Sequence, residues 1–200
     1  MKNIKVIVFD FFGVCVNNFP LQTGKAILDR FSIKKDEWDV FIKNAADGLD
    51  TGEKEEKQFM ENIVNFFNLQ CSPEELGKTI EDLDSQFLKV NKDLITIIKK
   101  LRKKYIIASF SNVSKSLQVR MDKLGLYDVF DQAFFSYEIG KTKNDAGAWE
   151  YVEKTLGLKP EEYLFIDDSA HNTKVAEERG WQAMQYKNNG EVEKRLKELL

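Results

Sequence analysis

The stretch Val6-Ile7-Val8-Phe9-Asp10-Phe11-Phe12-Gly13-Val14 runs four apolar residues straight into a carboxylate, two aromatics and a glycine. An unbroken apolar tetrad with a turn beyond it predicts a buried strand that delivers Asp10 to the end of a sheet. A second delivery of the same kind stands at Tyr163-Leu164-Phe165-Ile166-Asp167-Asp168. Unpaired charge in an apolar interior is costly, so strands that stop on carboxylates point to chemistry rather than to stability. Two strands aiming three carboxylates at one edge suggest a metal and a reaction.

Working outward, the pattern from Tyr105 onward alternates strand and helix. Strands are expected at Tyr105–Phe110, Ala133–Phe135, Tyr163–Ile166 and Trp181–Tyr186, and helices at Ser114–Leu124, Ala146–Leu156, Asn172–Arg179 and Glu191–Leu200. Such alternation predicts an α/β fold: a Rossmann-like parallel sheet flanked by helices, with its site at the carboxyl ends of the strands. Between the first strand and a helix at Lys92 lie about 75 residues without a convincing strand, the length of roughly four average helices. Lys25–Phe31, Lys35–Ala45, Glu53–Phe67 and Pro73–Val90 carry helical patterns, and Asp50-Thr51-Gly52-Glu53 offers a cap before the third. With no repeat and no Pro/Gly-rich linker, the chain divides into an α/β core over 1–15 and 92–200 and a helical insertion over 16–91.

Composition narrows the class. Two hundred residues with 42% hydrophobic and 32% charged side chains describe an ordinary globular protein. A net charge of −3 argues against nucleic acid as a partner. The basic cluster Lys99, Lys100, Arg102, Lys103 and Lys104 suits the C-terminus of the helix carrying Leu94, Ile97, Ile98 and Leu101. No window is long and apolar enough for a membrane span, and Met1-Lys2-Asn3-Ile4-Lys5 leads into an apolar run too short for a signal peptide. Cys15 and Cys71 form neither a metal-spacing motif nor a disulfide framework, so a cytoplasmic protein is expected, with Cys15 a small buried thiol.

Four segments now stand in order: Asp10, then Ser111-Asn112, then Lys143 after Gly140, then Asp167-Asp168. With Asp50-Thr51-Gly52-Glu53, Asp145 and the run Asp168-Ser169-Ala170-His171-Asn172, they make the chain resemble the haloacid dehalogenase-like (HAD) superfamily over nearly its whole length. The branch is the one with a helical cap inserted after the first motif. The resemblance implies a phosphatase for a small phosphate ester, in which Asp10 attacks phosphorus and the aspartyl-phosphate is then hydrolysed. It implies Mg²⁺ held by Asp10, the Phe12 carbonyl and Asp168, with Asp167 standing further back, since magnesium takes few protein oxygens and keeps its waters. Lys143 supplies positive charge, and Ser111, Asn112 and the amides near Phe11 and Phe12 donate to phosphate oxygens. Each residue has a plainer reading beside this one: Asp167-Asp168 could cap the helix near Asn172, Ser111-Asn112 could form a turn, Lys143 could be a solvated lysine, and His171 is expected to be exposed rather than a proton shuttle.

The chain departs from the family at Phe12. Most family phosphatases carry an aspartate there to protonate the leaving oxygen, help worth about 10²–10⁴-fold. Asn144 and Ala146 also replace prolines usual around the lysine. Haloacid dehalogenases lack that aspartate too, but they also lack the paired late acids that stand here as Asp167-Asp168. Phosphonoacetaldehyde hydrolases use a cap lysine, for which Lys25 and Lys43 are the candidates. A sugar-1-phosphate phosphatase branch departs at the same position, so loss of the aspartate need not mean loss of activity; the resemblance implies a small phosphorylated metabolite as substrate, a sugar phosphate being one candidate. The remaining alternative is a catalytically weak member that only binds a phosphoryl ligand. The oligomeric state is not legible.

Overall fold

A computed structural model describes residues 4–46 and 48–199, so Met1-Lys2-Asn3, Asp47 and the Leu200 end of the expected final helix fall outside the described residues. Five strands form one parallel sheet: β1 (Val6–Phe9), β2 (Ile106–Ser111), β3 (Gln132–Phe135), β4 (Tyr163–Asp167) and β5 (Gln182–Gln185), in the order β3-β2-β1-β4-β5. β1, buried at every position, lies between β2 and β4. Its neighbours diverge to either side, which makes the β1 end the switch point of the sheet. The register sets Phe9 beside both Ser109 and Ile166, so the next residues, Asp10 and Asp167, emerge side by side.

Both faces of the sheet are covered, which is why its strands read as continuous apolar runs rather than alternating ones. On one face Ile7, Phe9, Ile107, Leu164 and Ile166 pack against Leu94 and Ile98 of helix α5 (Lys92–Leu101) and Val192 and Leu196 of the last helix (Asn189–Leu199). On the other, Val6, Val8, Ala108, Phe110 and Phe165 pack against Trp149 of helix α8 (Ala146–Leu156) and Ala176 of helix α9 (Ala170–Glu178).

The insertion contains α1 (Phe19–Phe31), α2 (Lys35–Ala45), α3 (Glu56–Phe66) and α4 (Pro73–Phe87), which close their own apolar cluster around Ile27, Phe41, Phe59, Met60, Ile63 and Leu76. Phe19, Phe87, Leu88 and Val90 belong instead to the cluster under the sheet, so the apolar division falls a few residues inside 16–91 at both ends. α1 begins at Phe19, ahead of the Lys25 start that its apolar pattern suggests, because Pro20 is tolerated in a first turn. Two further differences bear on the site. The 50–53 stretch is not a helix cap: α3 starts at Glu56 after Glu55, which has no side-chain cap bond, and Gly52 (φ 74°) forms a turn against the α/β unit. A short helix, α7 (Ser136–Ile139), follows β3 where none was expected.

The two chain crossings between the units are stitched together. Val16 pairs with Val90 as an antiparallel bridge, the Asn17 amide donates to the Lys89 carbonyl, and the Asn91 amide donates to the Cys15 carbonyl. The Asn17 side chain spans the gap in both directions, its Nδ2 donating to the Phe87 carbonyl (3.0 Å) and its Oδ1 accepting from the Lys89 amide (2.6 Å). Replacing Asn17 with Ala removes both bonds and leaves a partly buried carbonyl unpaired. Its expected cost is about 1–3 kcal/mol of unfolding free energy, measurable by urea denaturation against wild type.

Candidate active site

Asp10, Ser111 and Asp167 stand at strand ends, and Lys143 comes to them from the loop between α7 and α8. Asp10 continues β1 and is held by its own amide, which donates to the Ile166 carbonyl (2.8 Å). Its side chain follows the alternation of Val6 and Val8, and Asp167 follows that of Tyr163 and Phe165, so both face the Trp149 side of the sheet. There the Lys143 ammonium, 2% exposed, sits between them, 2.8 Å from Asp10 Oδ1 and 2.7 Å from Asp167 Oδ2. It also lies over the rings of Phe110 and Phe165, 5.5 and 5.4 Å from their centroids. The plain reading of Lys143 as a solvated lysine is therefore overturned: it is among the largest fully buried side chains.

The backbone of Lys143 is fixed at both polar atoms. Its amide donates to Asn112 Oδ1 (2.9 Å), and its carbonyl accepts from the Trp149 indole N–H (2.8 Å). Trp149 is in turn wedged edge-on against Phe110, Phe165 and Trp181. The Asn112 side-chain oxygen is thus spent on the lysine loop, and only its Nδ2 remains as a donor. Ser111 ends β2 fully buried, and its hydroxyl has no partner among the described residues, an orphaned donor of the kind a phosphate oxygen would satisfy. Phe11, expected to present its amide to phosphate, donates it to Asp10 Oδ1 at 2.7 Å, while its ring stacks on Tyr127 (4.4 Å).

Asp167 and Asp168 divide their work. Asp167 is fully buried and saturated: Oδ1 accepts from the Ser169 amide (2.8 Å), Oδ2 from Lys143, and Asn172 Nδ2 reaches both oxygens at 3.1 Å. The helix-cap reading of the pair does not hold, because Ser169 caps α9. Asp168 is half-exposed and lies against Gly13, where an added Cβ would stand 2.2 Å from Asp168 Oδ2. With φ at 81°, Gly13 meets two demands at once, a left-handed turn and room for a carboxylate.

One carboxylate oxygen from each of Asp10, Asp167 and Asp168 lies within 4.8 Å of the other two. Three carboxylates facing one ammonium leave a formal excess of negative charge. The all-oxygen donor set and that excess fit a hard divalent cation such as magnesium. Asp10 Oδ2 and the Phe12 carbonyl receive no hydrogen bond among the described residues. Burial pushes the Asp10 carboxyl up to about 6, with Lys143 pulling it back and Asp167 pushing it further. Burial and then the Asp167 charge raise Asp168 as well. Burial works against the Lys143 ammonium, but the two carboxylates outweigh it and hold its pKa above the usual value.

Phe12 stands where an acid would. It is half-buried, edge-on to Phe11 (5.2 Å) and to Phe19 (5.8 Å), a packing residue at the foot of α1. His171 is exposed on the first turn of α9, and Lys25 and Lys43 are exposed on the insertion. Sequence reasoning assigned no role to Asn172 or Trp149. An asparagine shortly after a buried aspartate, within one turn of a helix start, was the available signal for the first; Trp149 carried none.

A cleft of about 640 Å³ separates the insertion from the α/β unit, lined by Gly52, Glu56 and Glu81 on one side and Ser114, Arg120 and Tyr137 on the other. Asp10 and Lys143 do not line it. No helix among the described residues is long and apolar enough to cross a membrane.

Comparison with known proteins agrees with this fold. The chain is 25% identical to a D-ribitol-5-phosphate phosphatase of Bacteroides thetaiotaomicron over 98% of both chains. A HAD family enzyme of the same organism, solved with magnesium and inorganic phosphate, superposes with a TM-score of 0.76 at 24% identity, over 92% of this chain and 95% of that one. An L-2-haloacid dehalogenase of Xanthobacter autotrophicus, with chloropropionic acid covalently bound, shares the fold at TM-score 0.65 and 18% identity, over 91% and 77% of the two chains. The model of the haloacid dehalogenase-like hydrolases matches residues 4–180, and the chain belongs to that family.

Proposed function

We propose that the protein is a magnesium-dependent phosphatase acting on a small phosphorylated sugar or polyol, with the insertion over 16–91 serving as a cap that selects the substrate. The observation that carries this reading is the pairing of a nucleophile with its charge support. Asp10 presents an unbonded Oδ2 beside a buried ammonium, and Asp168 stands across the Gly13 turn. Asp10, Asp168 and the Phe12 carbonyl would hold the cation. A cation held there would neutralise phosphate charge and help orient the phosphoryl group for in-line attack. Asp10 Oδ2 attacks phosphorus, the P–O bond to the leaving oxygen breaks with that oxygen taking its proton from solvent water, and a water molecule then cleaves the aspartyl-phosphate to restore the carboxylate and release phosphate. Lys143 balances charge on the attacking carboxylate, and the Ser111 hydroxyl, Asn112 Nδ2 and the Phe12 amide donate to phosphate oxygens. Similarity to the D-ribitol-5-phosphate phosphatase supports the polyol class, and the saturated Asp167 with Asp168 beside it favours phosphate over halide chemistry.

Asp10→Asn keeps the shape and removes the nucleophile, so phosphoester turnover should fall by more than about 10³-fold with an unchanged circular dichroism spectrum. Activity retained in that variant would sink the mechanism. A chelator-insensitive release of halide from 2-haloacids would put dehalogenation in its place.

The cation should compete with a proton at Asp10. The folded carboxyl pKa of about 6 exceeds its ordinary 3.8, so between those values the folded state holds the extra proton and metal-free stability falls as pH rises. Above that window the carboxylate is free for metal. Excess magnesium should therefore raise the melting temperature more at about pH 7.5 than at about pH 5, and Asp168→Ala should abolish the gain. Equal shifts at both pH values would show that Asp10 takes no part in binding.

Phe12 can neither donate nor accept a proton. Among substrates of similar size, kcat/KM should rise steeply as the leaving oxygen becomes less basic, from alkyl to anomeric sugar to aryl and acyl phosphates. Phe12→Asp should flatten that slope, gaining about 10²-fold or more on alkyl phosphates. A flat series in the wild type would mean that another group already supplies the proton.

A further inference from the structure

Arg120 lies on α6 (Lys115–Lys123), the helix that follows Ser111-Asn112, and its side chain reaches into the insertion. Its Nη2 donates to Asp84 Oδ2 at 2.8 Å, and its Nη1 lies 3.7 Å from Glu56 Oε1 and 3.9 Å from Glu81 Oε1. Asp84, buried on α4, accepts a second bond from the Thr23 hydroxyl of α1 at 2.6 Å. One guanidinium from the α/β unit thus gathers α1, α3 and α4. The pair is mostly shielded, the two side chains being 19% and 7% exposed, so water and salt screen it weakly. In the same cleft, the turn at Gly52 lies flat on the backbone of Tyr137, where an added Cβ would stand 2.7 Å from the Tyr137 carbonyl oxygen. Tyr137 is tied back to α6 through Gln118 (3.3 Å).

We infer that Arg120 is a positioning residue that sets the insertion, and with it the 48–54 turn, at a fixed height over the α/β unit, and so decides which phosphate esters pass the insertion to reach Asp10. The inference rests on the cap reading above. The linkers are bonded to one another at Asn17 and Val16, on the side of the Asp10 loop, so they leave the far side of the insertion to be held by other contacts. Arginine suits that role because its planar fork reaches several carboxylates at once, which a lysine cannot reproduce. Asp84 is pushed up by burial, with Thr23 and Arg120 pulling it down, so the carboxylate depends on these partners to stay charged.

The test compares wild type, Arg120→Lys, Arg120→Met and the double variant Arg120→Met/Asp84→Asn, in the whole chain. For a sugar or polyol phosphate, Arg120→Met should raise KM by about tenfold or more, while kcat on a small aryl phosphate moves by less than about twofold. Arg120→Lys should recover part of the KM loss, and the double variant should fold even if Arg120→Met alone does not, because it leaves no buried charge without a partner. Hydrogen exchange of the amides in 48–54 should quicken in both Met variants while the β1 and β4 amides stay protected. That exchange is read without substrate, so it separates this inference from the phosphatase reading. Unchanged exchange at 48–54, or equal losses on large and small esters, would overturn it.

Discussion

The ammonium of Lys143, clamped at 2.8 and 2.7 Å between Asp10 and Asp167, is the contact on which the rest of the site depends. Taking three charges out of water is costly, and mutual attraction offsets that cost only when geometry is good and the remaining lone pairs are satisfied. The protein meets both conditions. Asn172 and the Ser169 amide fill the other lone pairs of Asp167, the rings of Phe110 and Phe165 flank the cation, and Trp149 and Asn112 hold the lysine backbone. Removing one partner leaves a buried charge uncompensated, typically about 3–5 kcal/mol. The same clamp leaves Asp10 with one occupied and one open oxygen, an orientation suited to attack.

The parallel sheet makes this clamp possible. Only at the β1 end do two adjacent strands point their last residues at the same crevice while the connections leave to either side. The insertion departs from that very point. Phe12 pairs with Val16, Val16 pairs with Val90, and the amide of Gly13 donates to the carbonyl of Val16, so the Asp10 loop and the stems of the insertion form one bonded unit. The insertion thus joins the Asp10 loop through backbone hydrogen bonds rather than through a slack tether.

Phe12 is a packing residue at the carboxyl end of the sheet. Its ring fills the space between Phe11 and Phe19, joining the Asp10 loop to the first turn of α1. That gain is apolar contact, and a benzyl side chain can neither give nor take a proton there. Under the proposed phosphatase reading, the handling of the leaving group would therefore be peculiar to this sequence.

The sequence by itself determined the strands, their buried character and the carboxylates at their ends, because apolar runs that stop on a charge are a local pattern. It determined the alternation that makes the sheet parallel and the helical character of the insertion. Boundaries were less legible where tertiary contact overrode local signal: the 50–53 stretch looks like a cap, yet becomes a turn because it is seated on Tyr137. Tertiary structure alone decided that Lys143 is buried, that Asp167 rather than Asp168 is its counter-ion, that Phe11 spends its amide on Asp10, and that Arg120 meets Asp84. Lys143 and Asp167 stand 24 positions apart and Arg120 and Asp84 stand 36 apart, while the choice between Asp167 and Asp168 turns on which face a strand's last side chain takes. Pairing at such separation, and the register that picks a face, follow from three-dimensional packing, which no local pattern encodes.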